Sequence, residues 1–334
     1  VTIATGVAGT RLDYVKGHCG WDTVTLVPAG QIPAERELEA ALEIMRPPID
    51  GGLEVGWLSP GDGPGRIRLR MVASTVGGWI TMCGGMTQVI GKALVETGLG
   101  ARLGIDPAPD LEVVLVTDAG DIPVRVAVEH GRVAEVTTVM DRYVEHVREL
   151  GIEPLTIRGT PLLRVGKYAV FDIADLESAH PGLDFTRRDP GAHLDVLHEL
   201  LREFRVLVGD PGVNGMLFDD RPEGPGDFRV FPRFYSDDLA AARIPWEFQC
   251  GTGGIAVAVA LAHRGRLPFT DGVGTVLLEW GSIRVTPDPY GIRTSKLELE
   301  LSEGELRGAS FSHSVVEVTS EGRLFLATPL PRSG

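Results

Sequence analysis

Hydrophobic and polar positions follow two periods along the chain, and the changes of period mark the elements. From Pro33 to Met45, Leu38, Ala41, Leu42 and Met45 share one stripe while Glu35, Glu37, Glu39 and Glu43 fall elsewhere, which predicts an amphipathic helix stopped by Pro47-Pro48. Val55 to Leu58 predicts a strand, Ser59 to Gly65 a Gly/Pro turn, and the alternation Arg66-Ile67-Arg68-Leu69-Arg70-Met71 a half-buried strand. Another helix opens at Met82-Cys83-Gly84-Gly85, with Met86, Val89, Ile90, Ala93 and Leu94 at spacings of three and four and Gly98 as its stop.

That order returns in the second half. A helix around Leu194 to Phe204 leads to Gly215-Met216-Leu217-Phe218, a turn from Asp219 to Gly226 and a strand from Phe228 to Phe234. Cys250-Gly251-Thr252-Gly253 then opens a helix that is apolar on every face from Ile255 to Ala262 and stops at Gly265, so it should be buried. Beyond each cysteine a turn glycine starts a hairpin, Gly120-Asp121-Ile122-Pro123-Val124 or Gly281-Ser282-Ile283-Arg284-Val285. A repeat of this length predicts duplicated domains rather than a solenoid. The boundary is expected between residues 141 and 160, where the strand Val133 to Val139 gives way to a charged stretch ending in Gly159. This divides the chain into 1–150 and 151–334, with a return of the last strand to the first domain left open. Each half mixes hairpins with one small-residue helix, so the expected class is α+β, with a mixed, barrel-like sheet wrapped around a central helix in both domains.

Composition narrows the function. The 334 residues suffice for two domains, and no apolar run approaches the about 20 residues of a spanning helix, so no membrane association is expected. A formal net charge of -14 opposes phosphate backbones and anionic lipid, making nucleic acid an unexpected partner. The three cysteines, Cys19, Cys83 and Cys250, form no CxxC pair, so neither a disulfide framework nor a zinc site is expected, and a reducing cytoplasm is the simplest setting. Asp219-Asp220 lacks His or Cys at ligand spacing and reads as solvent-facing loop charge, so no metal is expected. Dinucleotide, P-loop and nucleophile-elbow motifs are missing, which leaves nucleotide cofactors and serine hydrolysis without support.

Candidate chemistry lies at the two helix starts. A cysteine there sits beside free backbone N–H groups and the positive end of the helix dipole, which favours the thiolate. Neighbouring glycines let a ligand approach the backbone, and the same amides can bind a carboxylate. A cleft between two such helices would hold an anion and present one sulfur from each side, a geometry suited to two-base proton transfer. A lone cysteine at a helix start is ordinarily inert packing; the duplicated context argues otherwise here.

On these residues the chain resembles the proline racemases and hydroxyproline epimerases, which share the diaminopimelate epimerase fold. The resemblance is carried by Met82-Cys83-Gly84 with its helix ending Ala93-Leu94-Val95-Glu96-Thr97-Gly98, by Asp118-Ala119-Gly120 and its hairpin, and above all by Cys250-Gly251-Thr252-Gly253. His18-Cys19-Gly20 is similar to the family's N-terminal His-Thr-x-Gly segment. The resemblance implies a cofactor-free, homodimeric isomerase in which one cysteine removes an α-proton as thiolate and the other returns a proton as thiol. Carried across, these are Cys83 and Cys250, with the amides around Gly84, Gly85, Gly251, Thr252 and Gly253 holding the carboxylate and stabilising an enediolate.

The chain departs from the family in having Gly85 where racemases carry His, and Trp246-Glu247-Phe248-Gln249 where they carry D-x-x-P. The site is therefore expected to be more apolar and less suited to a cationic imino acid. Glu247 either replaces the missing Asp as ammonium partner or proton relay, or is a surface carboxylate. His18 either orients substrate or is structural, Cys19 reads as a buried hydrophobe, and Lys167 either contacts a carboxylate or is solvated. Three readings follow: racemisation or epimerisation of a proline-like imino acid; a 1,3-proton shift moving a C=C bond in an unsaturated carboxylate, such as a pyrroline carboxylate of specialised metabolism; and binding of a small carboxylate without catalysis. Retention of both cysteines argues against the last.

Overall fold

The computed structural model describes residues 10–20, 22–46, 52–185, 193–234, 246, 247, 249–281 and 292–326, the side chains of Pro232, Trp246 and Glu247 excepted. It contains two compact units, one made of the described residues up to Thr138 and from Val316 onward, the other running from Val139 to Val315. The division falls at Thr138 rather than at 150. The charged stretch beyond it is a helix, α4 (Asp141–Leu150), which buries Val144 and Val147, while the Met140 N–H donates to the Ala309 carbonyl of the second unit at 2.7 Å. Pro47-Pro48 and the hairpin from Ser282 to Val285 lie outside the described residues.

In the first unit, the chain enters through β1 (Thr10–Cys19) and β2 (Asp22–Pro28), then passes through α1 (Glu37–Ile44) to β3 (Glu54–Pro60), β4 (Arg66–Ala73) and β5 (Gly78–Ile80). Helices α2 (Gly84–Glu96) and α3 (Leu99–Arg102) lead to β6 (Asp110–Thr117), β7 (Gly120–Glu129) and β8 (Arg132–Val139), and β18 (Val316–Leu326) arrives from the chain's end. Strand β18 pairs antiparallel with β1, β1 with β2, β3 with β4, β4 with β5, β6 with β7 and β7 with β8; β2 runs parallel to β3 and β4 to β6.

The sheet wraps α2, which packs against β1, β2, β7 and β18. Met86, Val89, Ile90, Ala93 and Leu94, the stripe read from the sequence, are all buried. Each large member contributes about 1.5–3 kcal/mol by leaving water, so packing rather than helix propensity holds this helix. On α1 the outer face is less polar than the pattern suggested: Glu37 is buried and pairs with Arg70 at 2.7 Å.

The second unit contains β9 (Ile152–Ile157), β10 (Thr160–Val165), β11 (Tyr168–Asp172), α5 (Ile173–Ala179), α6 (Leu194–Val208), β12 (Asn214–Asp219), β13 (Phe228–Phe234), β14 (Trp246–Glu247), α7 (Gly251–His263), β15 (Gly272–Trp280), β16 (Arg293–Ser302) and β17 (Glu305–His313). Its pairings repeat those of the first unit: β9 with β10, β10 with β11, β12 with β13, β13 with β14, β15 with β16 and β16 with β17 are antiparallel, and β11–β12 and β13–β15 are parallel. Position for position, α7 corresponds to α2, and the C-terminal strand β18 takes in the first unit the place that β9 takes in the second.

Helix α7 packs against β10, β11, β12, β13, β16 and β17, and every residue from Gly253 to Leu261 is buried. Asp219 corrects the reading of its pair as solvated charge: it ends β12, is buried, and its Oδ1 accepts from Arg229 Nε at 3.1 Å; Asp220 is exposed. Among the described residues no helix is long and apolar enough to cross a membrane.

Candidate active site

Cys83 is the residue before α2. Its backbone is extended, and Sγ accepts the Met86 N–H at 3.2 Å, so the thiol itself caps the helix. The first turn is clamped from inside. Thr87 Oγ1 donates to the Gly84 carbonyl at 2.7 Å, and buried Thr138 Oγ1 lies 2.7 Å from Thr87 Oγ1 and 2.7 Å from Gln88 Nε2. Since Thr87 gives its proton to Gly84, the Thr138 hydroxyl donates to Thr87 and accepts from Gln88, leaving this buried chain satisfied.

Two carboxylates surround the thiol. Asp22, at the start of β2, has Oδ2 3.5 Å from Cys83 Sγ, and the ligand atoms of Asp22, Glu54 and Cys83 all lie within 4.8 Å of one another. The expectation of an apolar site is therefore corrected in the first unit. A Cβ on Gly85 would stand 2.7 Å from Asp22 Oδ2, so the room left by the missing histidine is taken by this carboxylate. Burial, then the charges of Glu54 and Asp22, push the Cys83 thiol well above its ordinary range, and the Met86 N–H opposes them only weakly.

The same two oxygens and sulfur could hold a cation, a set no spacing in the sequence suggested because it comes from three separate segments. The thiol would join it only by losing its proton, which burial and both carboxylates resist unless the cation brings compensating charge. Cys19 is buried beside Gly85. His18 is buried on β1 opposite Glu317 of β18, with Nε2 3.3 Å from Oε2, which ties it to a strand-to-strand contact.

Cys250 occupies the corresponding place before α7, again with extended backbone and with Sγ accepting the N–H three residues on, from Gly253 at 3.4 Å. Hydroxyl groups rather than carboxylates surround it: Tyr168 OH at 3.5 Å and Thr252 Oγ1 at 3.4 Å, these two being 2.6 Å apart. Arg233 Nη1 donates to Tyr168 OH at 3.2 Å, and of the two hydroxyl protons one lies between Tyr168 and Thr252 while the other is left for the sulfur. Burial and then negative charge on Cys250 raise the pKa of both Tyr168 and Tyr143, against the pull of Arg233.

The bare backbone here is a packing requirement. A Cβ on Gly251 would meet the Phe311 ring at 2.5 Å, and one on Gly253 would meet Met216 Sδ at 2.6 Å. Glu247 faces Arg233 in the β13–β14 register, but its side chain lies outside the described set. Lys167 is exposed in the turn between β10 and β11. Asp22, Glu54, Tyr168, Tyr143 and Arg233 were not found from the sequence. Four of them stand at or near strand ends and Tyr143 lies in the first turn of α4, positions that many inert polar residues share.

No protein-family model matches the chain, and no curated protein does. Solved structures do. A hydroxyproline epimerase from Agrobacterium vitis with bound trans-4-OH-L-proline superposes with a TM-score of 0.61 at 16% identity, covering 96% of this chain and 94% of that one. A methylitaconate-delta-isomerase matches with a TM-score of 0.61 at 13% identity, covering 96% of each chain. A PhzF-family phenazine biosynthesis protein from Bacillus anthracis gives 0.58 at 14% identity over 94% of this chain and 98% of that one. The fold, over nearly the whole chain, is the one these proteins share.

Proposed function

We propose that the chain is a cofactor-independent isomerase that moves a proton at a carbon next to a carboxylate, with Cys83 and Cys250 as the acid–base pair. The observation that carries this reading is the duplication of one detail: in each unit a cysteine precedes the central helix and its sulfur takes the N–H three residues further on. Proteins of this fold include the epimerase and the isomerase named above, and the reading agrees with them.

The surroundings give the two sulfurs different resting roles. Cys83, buried beside two carboxylates, holds its proton and acts as the acid. Cys250 faces the Gly253 N–H and a pair of hydroxyl groups rather than carboxylates, and acts as the base. Cys250 takes the α-proton, the C–H electron pair moves into the carboxylate as an enediolate, and Cys83 delivers its proton to the opposite face. The enzyme is left with a Cys83 thiolate and a Cys250 thiol, ready for the reverse direction. Amides at Gly84, Gly85, Gly251 and Thr252 stabilise the enediolate, and Asp22 and Glu54 offer a counter-charge to the ammonium of a proline-like imino acid.

A 1,3-proton shift in an unsaturated carboxylate is the second reading, favoured by the carboxylates beside Cys83. Two acid–base groups on one face suit removal of a proton at one carbon and its return at another.

Proton NMR in deuterated buffer with proline, the hydroxyprolines and pyrroline carboxylates tests both. Washout at the α-carbon with inversion is expected of an epimerase, and washout at an allylic carbon with a moved double bond of the second reading; silence across the panel sinks both for proline-like substrates. Cys83→Ser and Cys250→Ser are each expected to slow exchange by at least about a hundredfold with the circular dichroism spectrum unchanged, because a hydroxyl is the far poorer acid and base. Undiminished exchange in both variants would remove the cysteines from the mechanism.

A further inference from the structure

Beside Cys250, wholly within the second unit, lies a pocket of about 160 Å³ lined by residues that include Tyr143, Lys167, Tyr168, Asn214, Arg233 and Thr252. No acidic side chain lines it among the described residues, although the protein as a whole carries a net charge of -14. Two of its groups are cations, and three are hydroxyl groups. Tyr168 and Thr252 are engaged with each other and with Cys250. The Tyr143 hydroxyl is different: it is buried and has no hydrogen-bond partner among the described residues. A buried donor left in that state is costly, and a ligand oxygen at this position would relieve the cost. Arg233, one N–H of which is given to Tyr168, and Lys167, in the exposed turn, place two positive charges on the lining.

We infer that this pocket is an anion subsite that receives a second acidic group of the ligand, a carboxylate or phosphate on an arm away from the carbon where the proton moves. The inference deepens the isomerase reading and rests on it for its catalytic meaning. The reacting carboxylate belongs to the amides at Gly251 and Thr252. Because Thr252 also lines the pocket, the arm enters beside that carboxylate's seat. The substrate class is then a carboxylate with an additional anionic arm, rather than proline itself.

Calorimetric titration of the full chain with succinate, butyrate and inorganic phosphate tests this directly. Succinate, phosphate or both are expected to bind at least about tenfold more tightly than butyrate; succinate alone identifies a carboxylate arm and phosphate alone a phosphate ester. Arg233→Gln is expected to weaken that binding about ten- to a hundredfold, the range of one charge-assisted hydrogen bond. Tyr143→Phe, which keeps the ring and removes only the hydroxyl, is expected to weaken it several-fold without lowering the melting temperature, and it stands in if Arg233→Gln does not fold. Butyrate and succinate binding alike with no binding of phosphate overturns the subsite, as does binding indifferent to both substitutions. Deuterium exchange followed in parallel keeps the two readings apart: exchange without Arg233-dependent anion binding sinks the subsite alone, and anion binding without exchange sinks the isomerase alone.

Discussion

At Cys83 the environment works against ionisation, and each contributor can be removed separately. Burial is the largest, Glu54 and Asp22 follow, and Asp22 holds its place because residue 85 has no side chain. Asp22→Asn or Glu54→Gln takes one negative charge away, so the thiol pKa should fall and the thiolate fraction rise at any given pH. The expected outcome is faster alkylation of Cys83 by iodoacetamide at pH 8, read by mass spectrometry of its peptide, with the rate–pH curve displaced downward; a curve displaced upward would show that the carboxylates do not act through charge. The residues of the candidate site divide at this scale. Cys83 and Cys250 were legible because glycines and apolar periodicity flagged them, and Gly85 because it departed from a pattern. Asp22 and Glu54 were not, since a single carboxylate at a strand start looks the same whether it faces water or a thiol 61 residues away in the case of Asp22.

Helix starts are built differently in the two units although their cysteines match. Helix α2 has the Thr87–Thr138–Gln88 chain beneath its first turn, whereas the start of α7 rests on the Phe311 ring below Gly251. Thr138→Val deletes both hydrogen bonds at once and takes the hydroxyl away from the buried Gln88 amide, so a loss of about 1–3 kcal/mol is expected in urea unfolding. A change below a few tenths would mean that the chain does not brace the helix. Gly251→Ala should displace either the ring or the turn carrying Cys250; the expected signature is a fall in exchange rate larger than the fall in stability. Helical stripes were readable because their period is intrinsic to one element. The charged stretch after Val139 was read as a boundary because α4 buries only Val144 and Val147 and is rich in charged residues elsewhere.

Across the whole molecule, the C-terminal strand is part of the first unit. Strand β18 pairs with β1 over Thr10↔Leu326 to Cys19↔Val316 and also packs on α2, so a chain ending at Val315 leaves that edge open and the apolar side of α2 in water. Such a truncation is expected to bind a hydrophobic dye and lose the first unit's cooperative unfolding; retention of a full-amplitude melt would show the strand to be dispensable. Acid sensitivity belongs to the second unit. Burial lowers the pKa of His313 from 6.5 to about 3. Its Nδ1 lies 2.6 Å from Ser295 Oγ, which itself accepts from Trp280 Nε1 at 2.6 Å, so the neutral ring accepts the serine proton. A folded-state value below the unfolded one means the contribution is complete above pH 6.5 and is lost as pH falls toward 3, at up to about 1.4 kcal/mol per pH unit. The difference in unfolding free energy between the natural chain and His313→Gln should therefore shrink on acidification through that window; a constant difference would refute the assignment.

Periodicity, turn chemistry and the repeated cysteine context were enough, from the sequence by itself, to determine the α+β class, the two central helices and the two thiols at their starts, because all of these are local or recur in the same order. The tertiary structure alone decided what surrounds each thiol: carboxylates at Cys83, hydroxyl groups and an arginine at Cys250, and a basic pocket in an acidic protein. It also decided that the last strand closes the first unit. The physical reason is common to these cases. Pairing across a sheet and burial of charge depend on which distant segments share a strand edge or a helix end, and that information appears in no window of consecutive residues.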